Sequence, residues 1–418
     1  MIKTGCRFYK GYKPCLYHLK KGVSCTNCTY YEKIDKKIVT ERKKILKRLF
    51  NSGMANPKKK SMALKKKIFE ILIIKLGAPG DVLRTTPILK TLKKKYPFSR
   101  ITWVSKKQSL ELLEENPYID KLVEADLRGA KSVLKKKYDL LLSFDKETFA
   151  TALATAAKSG KKLGFKMDRF GALNIFNGKS AYALRLGIDN KLKFSKNTKT
   201  YQAIIYEMSE LKTRYGPYLL SLDEKYTKFG ARVLRGLGIR PHDVVIGLNT
   251  GAGKVFLTKK WPVGYFIKLS RMLNGVKGVK TILLGGPPES RINRLISKKT
   301  YGNAINAGTR YSKKEFAGLI DNCDIIITSD TLCMHLAVAR ENRIVALFGP
   351  TAEKEVDLYG LGKKIYPRLR CSPCYKSRCR DTKCMKSILP ETVFKEIKKN
   401  VRRTLQKKTE DIPRRYST

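Results

Sequence analysis

A chain of 418 residues can hold two or three domains, each with its own core, and a hydrophobic fraction of 42% is that of a folded protein rather than a disordered one. Its 89 Lys and Arg against 35 Asp and Glu give a formal charge of +54, which draws polyanions: nucleic acid, anionic lipid headgroups or phosphorylated saccharides. The lysines are spread along the whole chain, so a general lysine bias stands beside any functional reading of that charge. No apolar run approaches the roughly 18 residues of a membrane span, and no apolar stretch follows Met1 as in a secretory signal. The ten cysteines therefore read as metal or redox sites before disulfides.

Residues 1–60 form a Cys/Tyr/Lys-rich leader poor in apolar periodicity. Cys6, Cys15, Cys25 and Cys28 fall there, and His18 completes a C-x2-H-x6-C-x2-C run, a ligand set suited to tetrahedral zinc. A segment so short of core residues needs such a staple to fold, although reduced surface cysteines are the plain alternative. A basic, partly helical linker follows over 33–67.

The first domain is expected over 68–225. Apolar residues 71–74 predict a strand buried on both faces, which Gly77, Pro79 and Gly80 break before a helical pattern resumes from Asp81. Asp81 thus lies at the carboxyl end of a central strand, where it can cap a helix, bind a substrate hydroxyl or take a proton. Residues 101–105 and 138–145 read as further strands, 109–115 and 147–158 as helices, and the alternation predicts a doubly wound sheet. Residues 190–240 read as a largely helical passage between domains.

A second alternation occupies 240–390. Strands are expected at 244–250, 281–286, 324–330 and 343–351, each ending in small or acidic residues, with helices at 263–273, 289–297, 313–322 and 332–340. Two such halves predict a cleft lined by the carboxyl ends of both sheets. The loop after the first of these strands carries Thr250, Gly251 and Gly253, whose backbone N–H groups can approach an anion, with Lys259 or Lys260 closing over it. Its spacing is not that of a P-loop. The third strand delivers Asp330, Thr331 and Leu332 to a helix start suited to a diphosphate, and His335 follows on the same helix face as Thr331, where it also serves helix–sheet packing. Glu289 heads another helix and can take a ribose hydroxyl pair or satisfy the helix dipole. A basic tail over 391–418 is expected to fray beyond Lys408.

In order and spacing, KLGAPGDVLRTTP, the K-x-W-P at Lys259, LLGGPPE, SDTLCMH and LFGPT resemble glycosyltransferase family 9, the bacterial heptosyltransferases, across about residues 68–390. The resemblance implies a GT-B fold with two facing Rossmann-like domains, and an inverting transfer of heptose from ADP-heptose to the lipid A core without a catalytic cofactor. It implies a lipid-linked saccharide acceptor and a cytoplasmic enzyme peripheral to an anionic membrane surface. It matches Asp81 to the general base, Lys259 to a phosphate-binding lysine, Glu289 to a ribose contact, and Asp330 with Thr331 to the donor site. The family usually has glycine after the Asp-Ser/Thr pair; this chain has Leu332, which leaves the same fold with another nucleotide sugar as an alternative.

Cys371, Cys374, Cys379 and Cys384 are spaced C-x2-C-x4-C-x4-C, a set for structural zinc or an iron–sulfur cluster, and some family members resemble this chain in having cysteines here. Both cysteine sets are expected to be structural and remote from the chemistry. A basic nucleic-acid-binding protein is the rival class, but no RNP-like motif, zinc-finger helix or basic recognition helix supports it.

Overall fold

The computed structural model describes residues 68–415 except 213–215 and 254, together with scattered positions between 6 and 40. The chain divides into two compact units, Met1–Gly216 and Pro217–Thr418.

In the first unit the apolar run becomes β1 (Phe69–Ile74), whose Ile71, Leu72, Ile73 and Ile74 are fully buried. It lies between β2 (Ser99–Ser105) and β4 (Lys137–Ser143), and β3 (Lys121–Glu124), β5 (Lys158–Met167) and β6 (Leu173–Ile175) complete the order β3-β2-β1-β4-β5-β6. Every pairing is parallel except that of β6. The second unit repeats the scheme. Its β7 (Val244–Asn249), β8 (Val279–Leu284), β9 (Ala304–Asn306), β10 (Ile325–Ser329), β11 (Arg343–Leu347) and β12 (Gly362–Ile365) run all parallel in the order β12-β11-β10-β7-β8-β9. Each order is the doubly wound Rossmann order, so the strand sequence reverses between β1 and β4 in one sheet and between β7 and β10 in the other.

The repetition extends to side chains at both ends of these strand pairs. At the start of β4, Asp139 Oδ2 accepts from Glu70 N at 2.8 Å, and just before β10, Asp324 Oδ2 accepts from Val245 N at 2.8 Å. Six residues after each staple (145 − 139 and 330 − 324) comes a second aspartate, Asp145 or Asp330, and each of these pairs with a lysine.

Several boundaries differ from the sequence pattern. β4 stops at Ser143, because Asp145 leaves the strand line to meet Lys75. The helix expected over 109–115 is the short Lys107–Leu110 followed by turns, and the one over 147–158 is Thr148–Ala156, with Lys158 already opening β5. The final helix Pro390–Arg415 runs past Lys408; its Val393, Ile397 and Val401 join Leu269 and Leu273 in the core of the second unit. In that unit the helices Glu224–Gly236 and Lys313–Asp321 meet glycine to glycine: a Cβ on Gly230 would lie 2.2 Å from the Gly318 carbonyl oxygen. No described helix is long and apolar enough to cross a membrane.

Candidate active site residues

At the first reversal point, β1 and β4 end beside one another. Lys75 and Asp145 leave the two strand ends as a buried pair, Nζ to Oδ2 3.1 Å, with side chains only 8% and 7% exposed. The same Oδ2 accepts from Leu76 N at 3.0 Å and Gly77 N at 2.8 Å. Burial by itself disfavours the charged lysine, but Asp145, Tyr201 and Asp81 outweigh it and hold Lys75 protonated well above its usual range. Burial likewise works against the charged Asp145, yet the Lys75 cation and the two backbone N–H donors bring its carboxyl below the ordinary value. The backbone at Gly77 passes under this group. A Cβ there would lie 3.0 Å from Lys75 Nζ and 3.4 Å from Asp81 Oδ2.

Asp81 occupies the helix Pro79–Leu83, whose N-cap Ala78 makes no side-chain cap bond. Its carboxylate meets Arg84, Oδ1 to Nη2 2.8 Å, and the side chain remains 38% exposed. The carbonyl of Asp81 accepts from Thr85 Oγ1 at 2.7 Å, and that hydroxyl is 2.9 Å from Tyr201 OH.

The second reversal point places β7 and β10 side by side in the same way. Lys259 donates to the Asp330 carbonyl at 2.8 Å and to its Oδ2 at 3.0 Å, and Ser329 Oγ returns a hydrogen bond to the Lys259 carbonyl at 2.8 Å. Lys259, rather than Lys260, is thus the lysine laid across the head of the helix Leu332–Ala339. Thr331 is the N-cap of that helix but makes no side-chain cap bond; its hydroxyl meets Thr328 Oγ1 at 3.0 Å and accepts from Asn249 Nδ2 at 3.2 Å. Asn249 also donates to Thr328 Oγ1 at 3.0 Å and to the Gly251 carbonyl at 3.2 Å, so one amide ties the β7 loop to the β10 loop. Leu332, at the helix start, is half-buried, and His335 is buried with Nε2 3.9 Å from Asp330 Oδ1 and its ring 5.7 Å from that of Tyr218.

Thr250 Oγ1 turns inward to Asn293 Oδ1 at 2.6 Å. Glu289 is 5% exposed and accepts from Gly286 N at 3.1 Å, the capping bond of its own helical turn. A Cβ at Gly251 would come within 3.2 Å of Glu289 Oε2, so the absence of a side chain at Gly251 lets the two loops close together. Lys259, Glu289, Asp330, Thr331 and the Thr250–Gly251 loop thus occupy one edge of the second sheet. Sequence reasoning missed Asn249, Asp145, Arg84 and Tyr201. The aspartate at the end of a central strand that marked Asp330 marks Asp145 equally well.

The four C-terminal cysteines belong to the same unit. Burial first, and then the neighbouring thiols of Cys374, Cys371 and Cys379, push the Cys384 thiol up, whereas backbone N–H donors bring the exposed Cys379 thiol down. Their loop is not remote from the motif residues, contrary to expectation. Lys376 O accepts from Thr258 Oγ1 at 2.6 Å, next to Lys259, and Trp261 Nε1 donates to Ile388 O at 2.8 Å. In the leader, Cys6, Cys15 and Cys28 line one small cavity with Tyr17, which stacks on Tyr30 at 4.7 Å; His18 and Cys25 lie outside the described residues. Among the described residues, no three His, Cys, Asp or Glu groups stand as ligands around one point.

Two doubly wound sheets, each with an aspartate–lysine pair at its reversal point, make this a two-domain protein of the GT-B fold. A family model of glycosyltransferase family 9 (heptosyltransferase) matches residues 127–385, more than half of the chain, and the chain belongs to that family. It is 25% identical over 327 residues to lipooligosaccharide heptosyltransferase 2 of Campylobacter jejuni, covering 76% of this chain and 94% of that protein. Among solved structures, the family 9 glycosyltransferase of Veillonella parvula superposes with a TM-score of 0.62 at 21% identity, over 79% of this chain and 97% of the other. The E. coli ADP-heptose LPS heptosyltransferase II gives a TM-score of 0.60 at 18% identity, over 81% and 99%.

Proposed function

We propose that this enzyme transfers heptose from ADP-heptose to the inner core of a lipopolysaccharide, with Asp81 as general base and the Lys259–Thr331 edge as the donor site. The observation that carries the reading is Lys259 held on Asp330 at the start of a buried helix, a fixed cation beside backbone N–H groups where a leaving diphosphate gathers charge. In the reaction the acceptor hydroxyl gives its proton to the Asp81 carboxylate as its oxygen bonds to the anomeric carbon; the bond from that carbon to the diphosphate breaks, and its electron pair leaves with ADP. Glu289 holds the ribose hydroxyls in this reading, and Thr250, Gly251, Thr331 and Leu332 frame the phosphates.

Support for the donor comes from relatives described as heptosyltransferases, one of them as using ADP-heptose. The +54 charge supports work at an anionic membrane face, where the lipid-linked acceptor resides. The C-x2-C-x4-C-x4-C spacing supports zinc or an iron–sulfur cluster as a structural staple, and the leader's C-x2-H-x6-C-x2-C run supports a second. The deciding experiment offers the purified enzyme ADP-heptose, UDP-glucose and GDP-mannose in turn with a heptose-free lipid A core. Mass spectrometry should show addition of one heptose from ADP-heptose alone; transfer only from another nucleotide sugar would overturn the donor assignment.

A further inference from the structure

We infer that Arg84, clamped on the face of Tyr201, is a positioning residue that keeps Asp81 ionised and aims its carboxylate. This rests on the reading of Asp81 as the base. The arginine carbon Cζ sits 3.9 Å from the centroid of the Tyr201 ring, and Nη2 reaches Asp81 Oδ1 at 2.8 Å. A guanidinium stacked on an aromatic face keeps its edge N–H groups in a fixed plane, and it does not lose its proton in the working pH range. The carboxylate is thereby bonded through one oxygen to a side chain packed on the Tyr201 ring.

The helix Tyr201–Met208 fixes the rest of the clamp. Tyr201 OH meets Thr85 Oγ1, which donates to the Asp81 carbonyl, and Gln202 Nε2 donates to the Arg84 carbonyl at 3.1 Å. Backbone and side chain of the Asp81 turn are therefore both held from one distant element. Among the described residues, Lys75, already engaged by Asp145, also feels the Asp81 charge; on the segment Lys107–Leu110, which packs against the Asp81 helix, Lys107 is exposed, and Lys106 just before it pairs with Glu147 at 2.7 Å. Arg84 forms a direct ion pair with the Asp81 carboxylate. An opposite charge this close favours the ionised form of the carboxyl.

The test measures Asp81 in two ways. One is the pH profile of kcat/KM with ADP-heptose and a heptose-free lipid A core. The other is a carbon-13 NMR titration of aspartate-labelled enzyme, with the Asp81 signal assigned by its loss in Asp81→Asn. Arg84→Met should raise both the acid limb and the NMR midpoint by about one unit or more. It should also lower the plateau kcat about tenfold with the donor KM unchanged, as expected when a reacting group loses its aim. Arg84→Lys should keep most of the charge effect but not the kcat, and Tyr201→Leu should shift the limb in the same direction as Arg84→Met. Melting curves confirm that each variant is folded. A folded Arg84→Met whose Asp81 titrates as in the wild type would overturn the inference. Full turnover in Asp81→Asn would instead remove the base assignment, and the NMR midpoint would still decide whether Arg84 sets that carboxyl.

Discussion

Lys259 meets Asp330 twice, once at the carboxylate (3.0 Å) and once at the backbone carbonyl (2.8 Å), so the lysine reports on the conformation of the helix start as well as on its charge. Replacing Lys259 by Ala should raise the donor KM and lower kcat, because charge on the departing diphosphate grows toward the transition state. Lys260→Ala should change either constant less than about fivefold, since loss of a half-buried surface charge of this kind rarely exceeds about 1 kcal/mol. Steady-state kinetics on both variants checks the register; equal losses would show that the lysine assignment is shifted by one.

Asp81→Asn should reduce transfer by about 10²-fold to 10⁴-fold, the usual loss on removing a general base. Donor affinity, read by calorimetry with ADP, should stay within about twofold, because the substitution lies outside the donor unit. Retention of more than about a third of wild-type turnover would mean the proton goes elsewhere.

Asp145→Asn should destabilise the fold by about 3–5 kcal/mol, because it strands a buried Lys75 without its principal counter-charge. The pH dependence has a definite sign. Asp145 titrates below its ordinary 3.8 in the folded protein, so its contribution is present above that value and is lost as the pH falls through the folded value. Lys75 is raised, so its contribution is present below 10.5 and fades as the pH climbs toward the folded value. Urea melts of wild type and variant at several pH values should show the difference between them narrowing on the acid side.

Vesicle sedimentation should find binding to liposomes containing phosphatidylglycerol but not to neutral ones, with each lysine near the surface contributing about 1 kcal/mol. Binding should fade between low and physiological salt. Salt-resistant association with neutral vesicles would point to an apolar rather than electrostatic attachment.

Protein purified without oxygen should carry about two equivalents of zinc or iron, one for each cysteine set. Stripping the metal should lower the melting temperature. Because Thr258 is hydrogen-bonded to Lys376 in the cysteine loop, stripping should also raise the donor KM before the protein unfolds. Metal-free protein of undiminished stability would exclude a structural metal.

The doubly wound halves were legible in the sequence because β1, β7, β10 and β11 are largely apolar runs, as buried parallel strands are. β5 was not, since its sequence KSGKKLGFKM carries four lysines on a strand whose first half is largely exposed, and the charge hides the periodicity. β3, β9 and β12 are strands of three or four residues at or near sheet edges, too short for a pattern to form. Motif residues that point along a strand toward its loop, such as Lys259 and Asp330, could be named in advance. Arg84 and Tyr201 could not, because they are 117 residues apart (201 − 84) and only packing brings them together. The cysteine loop was misplaced for the same reason: its link to Thr258 spans 118 residues.

The two staples, Asp139 on Glu70 and Asp324 on Val245, fasten the amino ends of the strand pairs whose opposite ends lead to the Lys75–Asp145 and Lys259–Asp330 pairs. Cohesion of each sheet is thus anchored about a strand's length away from the loops that meet substrate. Such a division leaves the loops at Thr250, Glu289 and Leu332 free to change residue without loosening the anchorage beneath. Because both halves own a staple, the loops of either unit can change independently of the other sheet's anchorage.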